Sequence, residues 1–461
     1  MNTPKDLNRR RFMSASLAAA LTGTGLVACG RPEAAPLVGP YGPLRPAIDA
    51  TTGLPLLELP EGFRYRSFGW MGEPMSNGAP TPARHDGMAV VAEVDGRYGL
   101  IRNHEVFDAD GSFAPASQSY DPAAGGGTTT LWFDPVSEQA SAADPSLSGT
   151  VANCAGGPTP QGAWLSCEEV VIEAGRIAGG WASGRQTPAR EPHGYVFEVP
   201  ALSPATAKPI KAMGRFAHEA VAVDPTTGVA YLTEDRRSEA GFYRYLPDEP
   251  GNLAGGGRLQ MLRASAHPDL RSGLTAGRPI DVTWVDINEP DRASSPGTND
   301  GDGCVSQGKD AGASVFTRLE GCWTDGKTVV FTSTDGGEAG AGQIFKLDIA
   351  EQTLTVVYQS PGRQVLDAPD NVTLSPTGLV VICEDGNRDG MLMHGLTQAG
   401  TLFPIARNIV ELDGEHYGHK GNYRDSEWCG ACFSPDGRWL FANLQKPGIT
   451  VAITGPWEQV S

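Results

Sequence analysis

The fold of this chain is indicated by a phrase that occurs twice: a short apolar run, a turn built on Asp-Pro or Ser-Pro, and a second apolar run. It appears as Ala220-Val221-Ala222-Val223-Asp224-Pro225 followed by Val229-Ala230-Tyr231-Leu232, and as Cys432-Phe433-Ser434-Pro435-Asp436-Gly437 followed by Trp439-Leu440-Phe441. Runs of this length between turn residues are typical of strands joined as hairpins. Similar runs return at blade-like intervals, which favours an all-β fold of the β-propeller kind. A pair of β-sandwiches is the alternative.

Composition supports a chain of many short strands. The 461 residues include 59 Gly and 36 Pro, which suits tight turns between strands. The formal charge is −18, and an acidic balance argues against nucleic acid as a partner, because phosphate backbones need clustered Lys and Arg. A Gly-, Ser- and Asp-rich region over residues 254–314 is interpreted as a long loop insertion.

The N-terminus carries an export signal. Twin arginines in Asn8-Arg9-Arg10-Arg11-Phe12-Met13 precede an Ala- and Leu-rich stretch that is too short to span a membrane. It ends at Leu26-Val27-Ala28-Cys29, which resembles a lipobox. We predict a Tat signal peptide with lipobox over residues 1–29, a linker over residues 30–55 and a single catalytic domain over residues 56–461. The predicted location is periplasmic or at the cell surface, with a lipid anchor on Cys29 as the only membrane contact.

Among the eight cysteines of the chain, Cys167 is a candidate metal ligand. If Cys29 carries lipid, seven are left, and an odd number leaves at least one without a disulfide partner. Cys167 precedes Glu168 and Glu169, so a soft thiol stands beside hard carboxylates. Strand alternation places Cys167 and Glu168 on opposite faces unless the strand ends or bulges there. An inert buried thiol is the alternative interpretation.

Carboxylates lie at the ends of the predicted strands, commonly beside His, Asn or Arg. They occur in Asn103-His104-Glu105, Cys167-Glu168-Glu169, His218-Glu219, Glu234-Asp235, Arg318-Leu319-Glu320, Asp370-Asn371, Glu384-Asp385 and Glu427. Strand ends of a propeller converge on its central channel, where unneutralised like charges raise each other's pKa. The pattern therefore predicts bound cations, unless half of these groups lie on the outside.

Several motifs resemble the PhoX-type alkaline phosphatases, in family order over most of the chain after the signal segment. They are residues 153–169 (NCAGGPTPQGAWLSCEE), 193–198 (HGYVFE), 214–220 (GRFAHEA), 318–321 (RLEG), 334–337 with 342–344 (TDGG and GQI), 370–371 (DN) and 441–448 (FANLQKPG). Gln161 and Lys446 depart from the family pattern, which commonly has Trp and His there. Cys429-Gly430-Ala431-Cys432 replaces a Gly-Pro element.

The resemblance implies a propeller of about six blades with an iron–calcium cluster, Fe³⁺ and Ca²⁺, in its channel. By that similarity Cys167 is the thiolate ligand of iron, and Arg318 binds the phosphoryl oxygens. The carboxylate ligands to iron or calcium are then Glu168, Glu219, Glu320, Asp370 and Glu427. The implied activity is hydrolysis of small phosphate monoesters by a monomeric enzyme. The alternatives are a calcium-dependent propeller lactonase or esterase, and a non-catalytic surface-anchored propeller that binds a partner.

Overall fold

The structure is a computed structural model that describes residues 38–108, 111–175, 177–178, 187–293 and 303–460. The predicted signal peptide, the lipobox and Cys29 lie outside these residues. Among the described residues, no helix has the length and apolar character needed to cross a membrane.

Six antiparallel sheets form a β-propeller, which confirms the predicted fold class. In each sheet one edge strand lies innermost, and each innermost strand packs against those of the two neighbouring sheets until the ring closes. Strand ends from all six blades therefore meet around one axis, as the sequence predicts.

The blades follow one another along the chain, each written here from its inner strand outwards. Blade 1 contains His85–Val94, Arg97–His104, Gly126–Asp134 and Asp144–Thr150, with Gln139–Ala140 at its edge; blade 2 contains Asn153–Pro158, Ala163–Glu168 and Val196–Pro200; blade 3 contains His218–Val223, Ala230–Glu234, Phe242–Pro247, Gly257–Arg263 and Thr283–Ile287. Blade 4 contains Leu319–Thr324, Thr328–Ser333, Gln343–Asp348, Thr353–Gln359 and Ile280–Asp281; blade 5 contains Pro369–Leu374, Val380–Glu384, Leu392–Leu396, Leu402–Asn408, Leu57–Leu59 and Arg45–Ala47; blade 6 contains Trp428–Phe433, Trp439–Leu444, Ile449–Thr454 and Arg64–Phe68.

Short elements complete the described part of the chain. The strand pairs Val38–Gly39 with Gly42–Pro43, Ile177–Ala178 with Thr187–Pro188, and Glu411–Asp413 with Lys420–Asn422 lie outside the blades. Cys304–Asp310 is an α-helix, and Ala116–Gln118, Lys211–Met213, Leu253–Gly255 and Trp457–Gln459 are 3₁₀ turns.

The ring is closed by the N-terminal part of the domain. Arg64–Phe68 pairs with Ile449–Thr454, so the first and last parts of the propeller share blade 6. Arg45–Ala47 pairs with Leu57–Leu59 in blade 5, so this part of the predicted linker belongs to the propeller. The predicted insertion over residues 254–314 likewise supplies outer strands to blades 3 and 4.

Candidate metal centre

Each inner strand begins in the same way, with one extra residue relative to its neighbour. In blade 1, His85 faces His104 and Met88 faces Arg102, so three steps on the inner strand match two on the second strand. The same bulge occurs near the start of the other five inner strands. A bulge re-aims the side chain that it contains.

The second residue of every inner strand is a carboxylate or a thiol. These residues are Asp86, Cys154, Glu219, Glu320, Asp370 and Cys429, and we call them the channel ring. Neighbouring inner strands approach so closely that a glycine must follow some of the channel-ring residues. A Cβ on Gly87 would lie 2.5 Å from Ala155 Cα of blade 2, and one on Gly321 would lie 2.5 Å from the Val372 amide nitrogen of blade 5.

A second set of acids follows the second strands, and we call Glu105, Glu169, Asp235 and Asp385 the loop acids. The backbone N–H of each donates to the carbonyl of the residue just before the inner strand of the same blade, over 2.9–3.1 Å. Thr334 and Gln445 take the same position in blades 4 and 6. One repeated backbone geometry therefore aims two residues per blade at the axis.

Members of the two sets, together with Glu427, form three groups, and the ligand atoms of each group lie within 4.8 Å of one another. The groups are Cys154, Glu169 and Glu219; Glu219, Glu320 and Asp370; and Asp86, Glu105 and Glu427. Glu219 belongs to two groups and so joins them across blades 2 to 5. Clusters of buried carboxylates with one thiol are the donor set of a site for several cations.

Burial and mutual repulsion raise the pKa of these acids. Desolvation, then Glu320 and Asp370, raises the pKa of Glu219 well above its usual value. Desolvation is also the main cause that raises the pKa of Glu105 and Asp370 to about 7 and that of Glu427 to about 6. For the Cys154 thiol, burial followed by Glu219 and Glu169 raises the pKa strongly. Bound cations would reverse this penalty.

Arg318 lies at the rim of the channel ring with a backbone φ of 39°, in the left-handed region. Its Nε and Nη2 donate to Asp235 over 3.1 and 3.3 Å, and Nη2 donates to Glu320 over 2.6 Å. Burial lowers the pKa of Arg318, but Glu320 and Asp235 outweigh that effect and raise it. The guanidinium is therefore a fixed cation beside the acid groups.

Cys167 occupies a different position from the one expected of an iron ligand. It lies one residue before the end of the second strand of blade 2, fully buried in an apolar cluster with Val196 and Met213. In four other blades the side chain at the matching position donates to the backbone carbonyl of the channel-ring residue in the next blade. These residues are Asn103, Thr233, Thr332 and Asn443.

Cys167 therefore faces the seam between blades, while the thiol in the acid groups is that of Cys154. The register explains the difference, because the bulge that would turn a side chain to the channel lies in the inner strand and not in the second strand.

Glu168 is held by backbone donors. Its Oε1 accepts from the Val151 N–H over 2.9 Å and lies 2.6 Å from His193 Nδ1, while Oε2 accepts from the Gly194 and Tyr195 N–H groups. Both oxygens are thus used to fix loops, and the neighbouring Glu169 lies in the acid group with Cys154 and Glu219. The same division separates Glu234 from Asp235 and Glu384 from Asp385.

Three of the sequence-predicted ligands, Glu219, Glu320 and Asp370, lie in one acid group, and Glu427 lies in another. The residues that the sequence prediction left out of the site are Asp86, Glu105, Cys154 and Glu169. A signal for Asp86 and Cys154 existed, because aligning the six inner strands by their first residue places an Asp, Glu or Cys second in each. The matching thiol Cys429 and its neighbour Cys432 are buried free thiols, as are all seven cysteines of the described residues.

The fold and this arrangement define a class: a six-bladed β-propeller with acid groups on its axis, one of which includes a thiol. The family model "Alkaline phosphatase PhoX" matches residues 39–448, and the chain belongs to this family. No protein with curated annotation matches the chain.

The solved structure of a PhoX enzyme supports the same fold. PhoX of Pseudomonas fluorescens, in complex with vanadate, a transition state analogue, has a TM-score of 0.62 and 18% identity; the match covers 89% of this chain and 98% of that one. A gluconolactonase of Xanthomonas campestris has a TM-score of 0.33 and 13% identity, with 81% and 97% covered. The periplasmic gluconolactonase PpgL of Pseudomonas aeruginosa has a TM-score of 0.35 and 12% identity, with 87% and 88% covered.

Proposed function

We propose that the protein is a phosphomonoesterase that uses an iron–calcium centre in the propeller channel. The observation that carries the proposal is the coincidence of three acid groups, one of them with a thiol, and a fixed guanidinium at their rim. A phosphoryl group presents several negatively charged oxygens, and transfer requires cations that meet this charge. Membership of the PhoX alkaline phosphatase family supports the same reaction class.

The donor set fits the proposed metals. Carboxylate oxygens alone suit calcium, and the groups Glu219–Glu320–Asp370 and Asp86–Glu105–Glu427 would hold it. A thiolate with carboxylates brings iron into range, and Cys154, Glu169 and Glu219 would hold it. Bound there, the ions would supply Lewis-acid stabilisation of the phosphoryl oxygens.

Arg318 would bind and orient the substrate. A guanidinium donates through several N–H groups in one plane. Nε and Nη2 of Arg318 donate to Asp235 and Glu320, which hold the group in place before substrate arrives, so Nη1 would donate to the phosphoryl oxygens with little loss of side-chain entropy. Partial burial of the guanidinium strengthens the interaction relative to one in bulk water.

The test is a matched pair of cysteine variants, Cys154→Ser and Cys167→Ser. Both thiols are buried, but only Cys154 lies in an acid group. We expect Cys154→Ser to lose iron, visible thiolate absorption and release of p-nitrophenol from p-nitrophenyl phosphate. Cys167→Ser should keep all three and lose only stability, by about 1–3 kcal/mol for an unsatisfied buried hydroxyl.

The opposite pattern, with iron and activity lost in Cys167→Ser and kept in Cys154→Ser, would contradict this assignment of the thiolate. A metal-loaded wild-type protein that hydrolyses lactones and leaves phosphate esters intact would contradict the proposed function itself. Metal content by plasma emission spectrometry tests the thiolate assignment separately from the proposed activity, because it does not depend on turnover.

We further propose export by the Tat pathway and a lipid anchor at Cys29. The support is the twin-arginine segment and the Leu26-Val27-Ala28-Cys29 sequence. A Cys29→Ala variant is expected to move from the membrane pellet to the soluble periplasmic fraction. An unchanged distribution of phosphatase between pellet and supernatant would contradict the anchor.

A further inference from the structure

Arg84 stands in blade 1 where Arg318 stands in blade 4. Each residue directly precedes the inner strand of its blade, and each has a left-handed backbone, with φ of 51° at Arg84 and 39° at Arg318. Blades 1 and 4 are three steps apart in a ring of six, so they face each other across the axis. Ala152 and Ala368 have the same left-handed backbone before the inner strands of blades 2 and 5, so the conformation belongs to the repeated start of the blade and gives each arginine the same starting direction.

The two guanidinium groups differ in how firmly the protein holds them. Arg318 donates to two carboxylates over 2.6–3.3 Å. Arg84 makes one long contact of 3.4 Å to the Gln445 amide oxygen and lies 3.8 Å from the nearer oxygen of Glu105. Its side chain is 28% exposed and lies over the Phe107 ring at 5.8 Å. Arg84 therefore retains N–H donors for a ligand.

A second cation lies on the same side of the channel. Lys446 follows Gln445 directly, is exposed, and makes no ion pair with the residues that the structure describes. It is near enough that its charge opposes the burial-driven rise in the pKa of both Glu105 and Glu427. Two exposed or half-exposed cations thus flank the acid group Asp86–Glu105–Glu427.

We propose that Arg84 and Lys446 form a second anion subsite, which binds a second phosphate or carboxylate group on the leaving-group side of the ester. This inference rests on the proposed function, in which Arg318 binds the phosphoryl group that is transferred. The substrate class would then be phosphate esters with a second anionic group, such as bisphosphates, because one anion would lie at Arg318 and the other at Arg84 across the channel.

The first experiment measures equilibrium binding by calorimetry with the metal-loaded protein. The probes are 3-phosphonopropionate and propylphosphonate, which resist hydrolysis and differ in one carboxylate. Wild type should bind 3-phosphonopropionate at least tenfold more tightly than propylphosphonate, and Arg84→Gln should reduce this preference by about tenfold, the scale of one charge-assisted hydrogen bond. Lys446→Gln, which removes a more exposed charge, should reduce it by about threefold.

The matched control is Arg407→Gln, since Arg407 is 31% exposed and pairs with Glu58 at the outer edge of blade 5. That variant should leave the preference unchanged. A preference that is equal in wild type and in the Arg84→Gln, Lys446→Gln double variant would overturn the subsite. So would an equal loss in Arg407→Gln.

Kinetics give an independent check. The ratio of kcat/KM for fructose 1,6-bisphosphate to that for fructose 6-phosphate should fall about tenfold in Arg84→Gln, and the ratio should fall with rising salt in wild type. A wild type that releases phosphate from neither sugar contradicts the proposed phosphatase, while the phosphonate binding ratio still decides the subsite. A ratio that Arg84→Gln leaves unchanged would contradict the subsite and leave the phosphatase intact.

Discussion

Arg318 shows how a single residue links the acid groups to the substrate. Asp235 is a loop acid of blade 3 and Glu320 a channel-ring residue of blade 4, and both accept hydrogen bonds from the same guanidinium. The guanidinium therefore offsets the repulsion between the carboxylates of Asp235 and Glu320 in the free protein. In the proposed reaction it would also neutralise charge on the phosphoryl group. Removal of Arg318 would therefore affect both the free protein and the transition state.

We expect Arg318→Ala to lower kcat/KM for p-nitrophenyl phosphate by roughly 10²–10³, about 2.7–4 kcal/mol, the scale of one lost oxyanion donor. Arg363→Ala is the control, because Arg363 also pairs with a carboxylate, Asp367, but is 53% exposed and its partner belongs to none of the three acid groups. Initial rates at saturating substrate give kcat, and those at limiting substrate give kcat/KM. Equal losses in the two variants would contradict a role for Arg318 at the reaction site.

At this scale the sequence predicts residue types better than their directions. It identifies Glu219, Glu320 and Asp370, because each stands at a strand start within a family-like motif. The family resemblance assigns the iron thiolate to Cys167, although the matched segment 153–169 also contains Cys154. A six-fold bulge decides the direction of each side chain, and its register depends on pairing between strands, which local sequence does not determine.

At the scale of elements, the two acids of each pair at a strand end have different roles. The first acid of Glu168-Glu169, Glu234-Asp235 and Glu384-Asp385 accepts hydrogen bonds from its own loops, and the second faces the axis. In blade 2, His193 lies between Glu168 and Asp121 and joins two loops. The position of Glu169 in the thiol-bearing group therefore depends on this buried chain.

The blade 2 chain predicts a pH dependence of stability. Burial lowers the pKa of His193, but Glu168 and Asp121 outweigh it and raise the pKa to about 9. A raised histidine pKa means that the stabilisation is complete below about pH 6.5 and is lost as pH rises towards 9. The stability difference between wild type and His193→Gln should therefore shrink by roughly 3 kcal/mol between pH 6 and 9.5. Urea unfolding across that range measures it; a constant difference would contradict a charged His193.

Closure of the ring predicts a second effect on stability. Asp49 is buried and accepts hydrogen bonds from the Ser67 N–H and hydroxyl, over 2.7 and 2.6 Å, and from the N–H groups of Thr51 and Thr52. Ser67 lies in the strand that completes blade 6. Asp49→Ala should therefore destabilise the protein by about 2–4 kcal/mol, because several buried donors lose their acceptor.

Asp134→Ala is the control for this effect. Asp134 also accepts from two backbone N–H groups and a serine hydroxyl, but in an exposed turn of blade 1 where water can replace it. Its loss should cost about 1 kcal/mol or less. Thermal unfolding of both variants compares them, and equal shifts in Tm would contradict a special role of Asp49 in ring closure.

At the scale of the whole molecule, the propeller concentrates charge that it does not neutralise by itself. The net charge of −18 is spread over the chain, yet acids from all six blades meet at the axis with few cations among them. Turn and strand patterns predicted an all-β fold and favoured a propeller over a pair of β-sandwiches, and the family resemblance supplied the number of blades. The closure by the N-terminal strands was not predictable, because it pairs residues almost 400 positions apart whose short runs resemble any other edge strand.

Metal removal should therefore destabilise the protein more as pH rises. Desolvation is the main cause that raises the pKa of Glu105 and Asp370 to about 7 and that of Glu427 to about 6, so in metal-free protein their protonated forms stabilise the fold at low pH. That contribution is lost as pH rises through 6–7. In metal-loaded protein the cations take over the neutralisation, and Tm should change little across the same range.

We expect EDTA to lower Tm by roughly 5–10 °C at pH 8 and by much less at pH 5, where protons replace the cations. Calcium-saturated EDTA controls for effects of the chelator itself, and readdition of iron and calcium should restore the original Tm. Differential scanning calorimetry at both pH values measures the shifts. An equal shift at pH 5 and pH 8 would show that the axis acids are not the groups that the metals neutralise, because those acids change protonation between the two conditions.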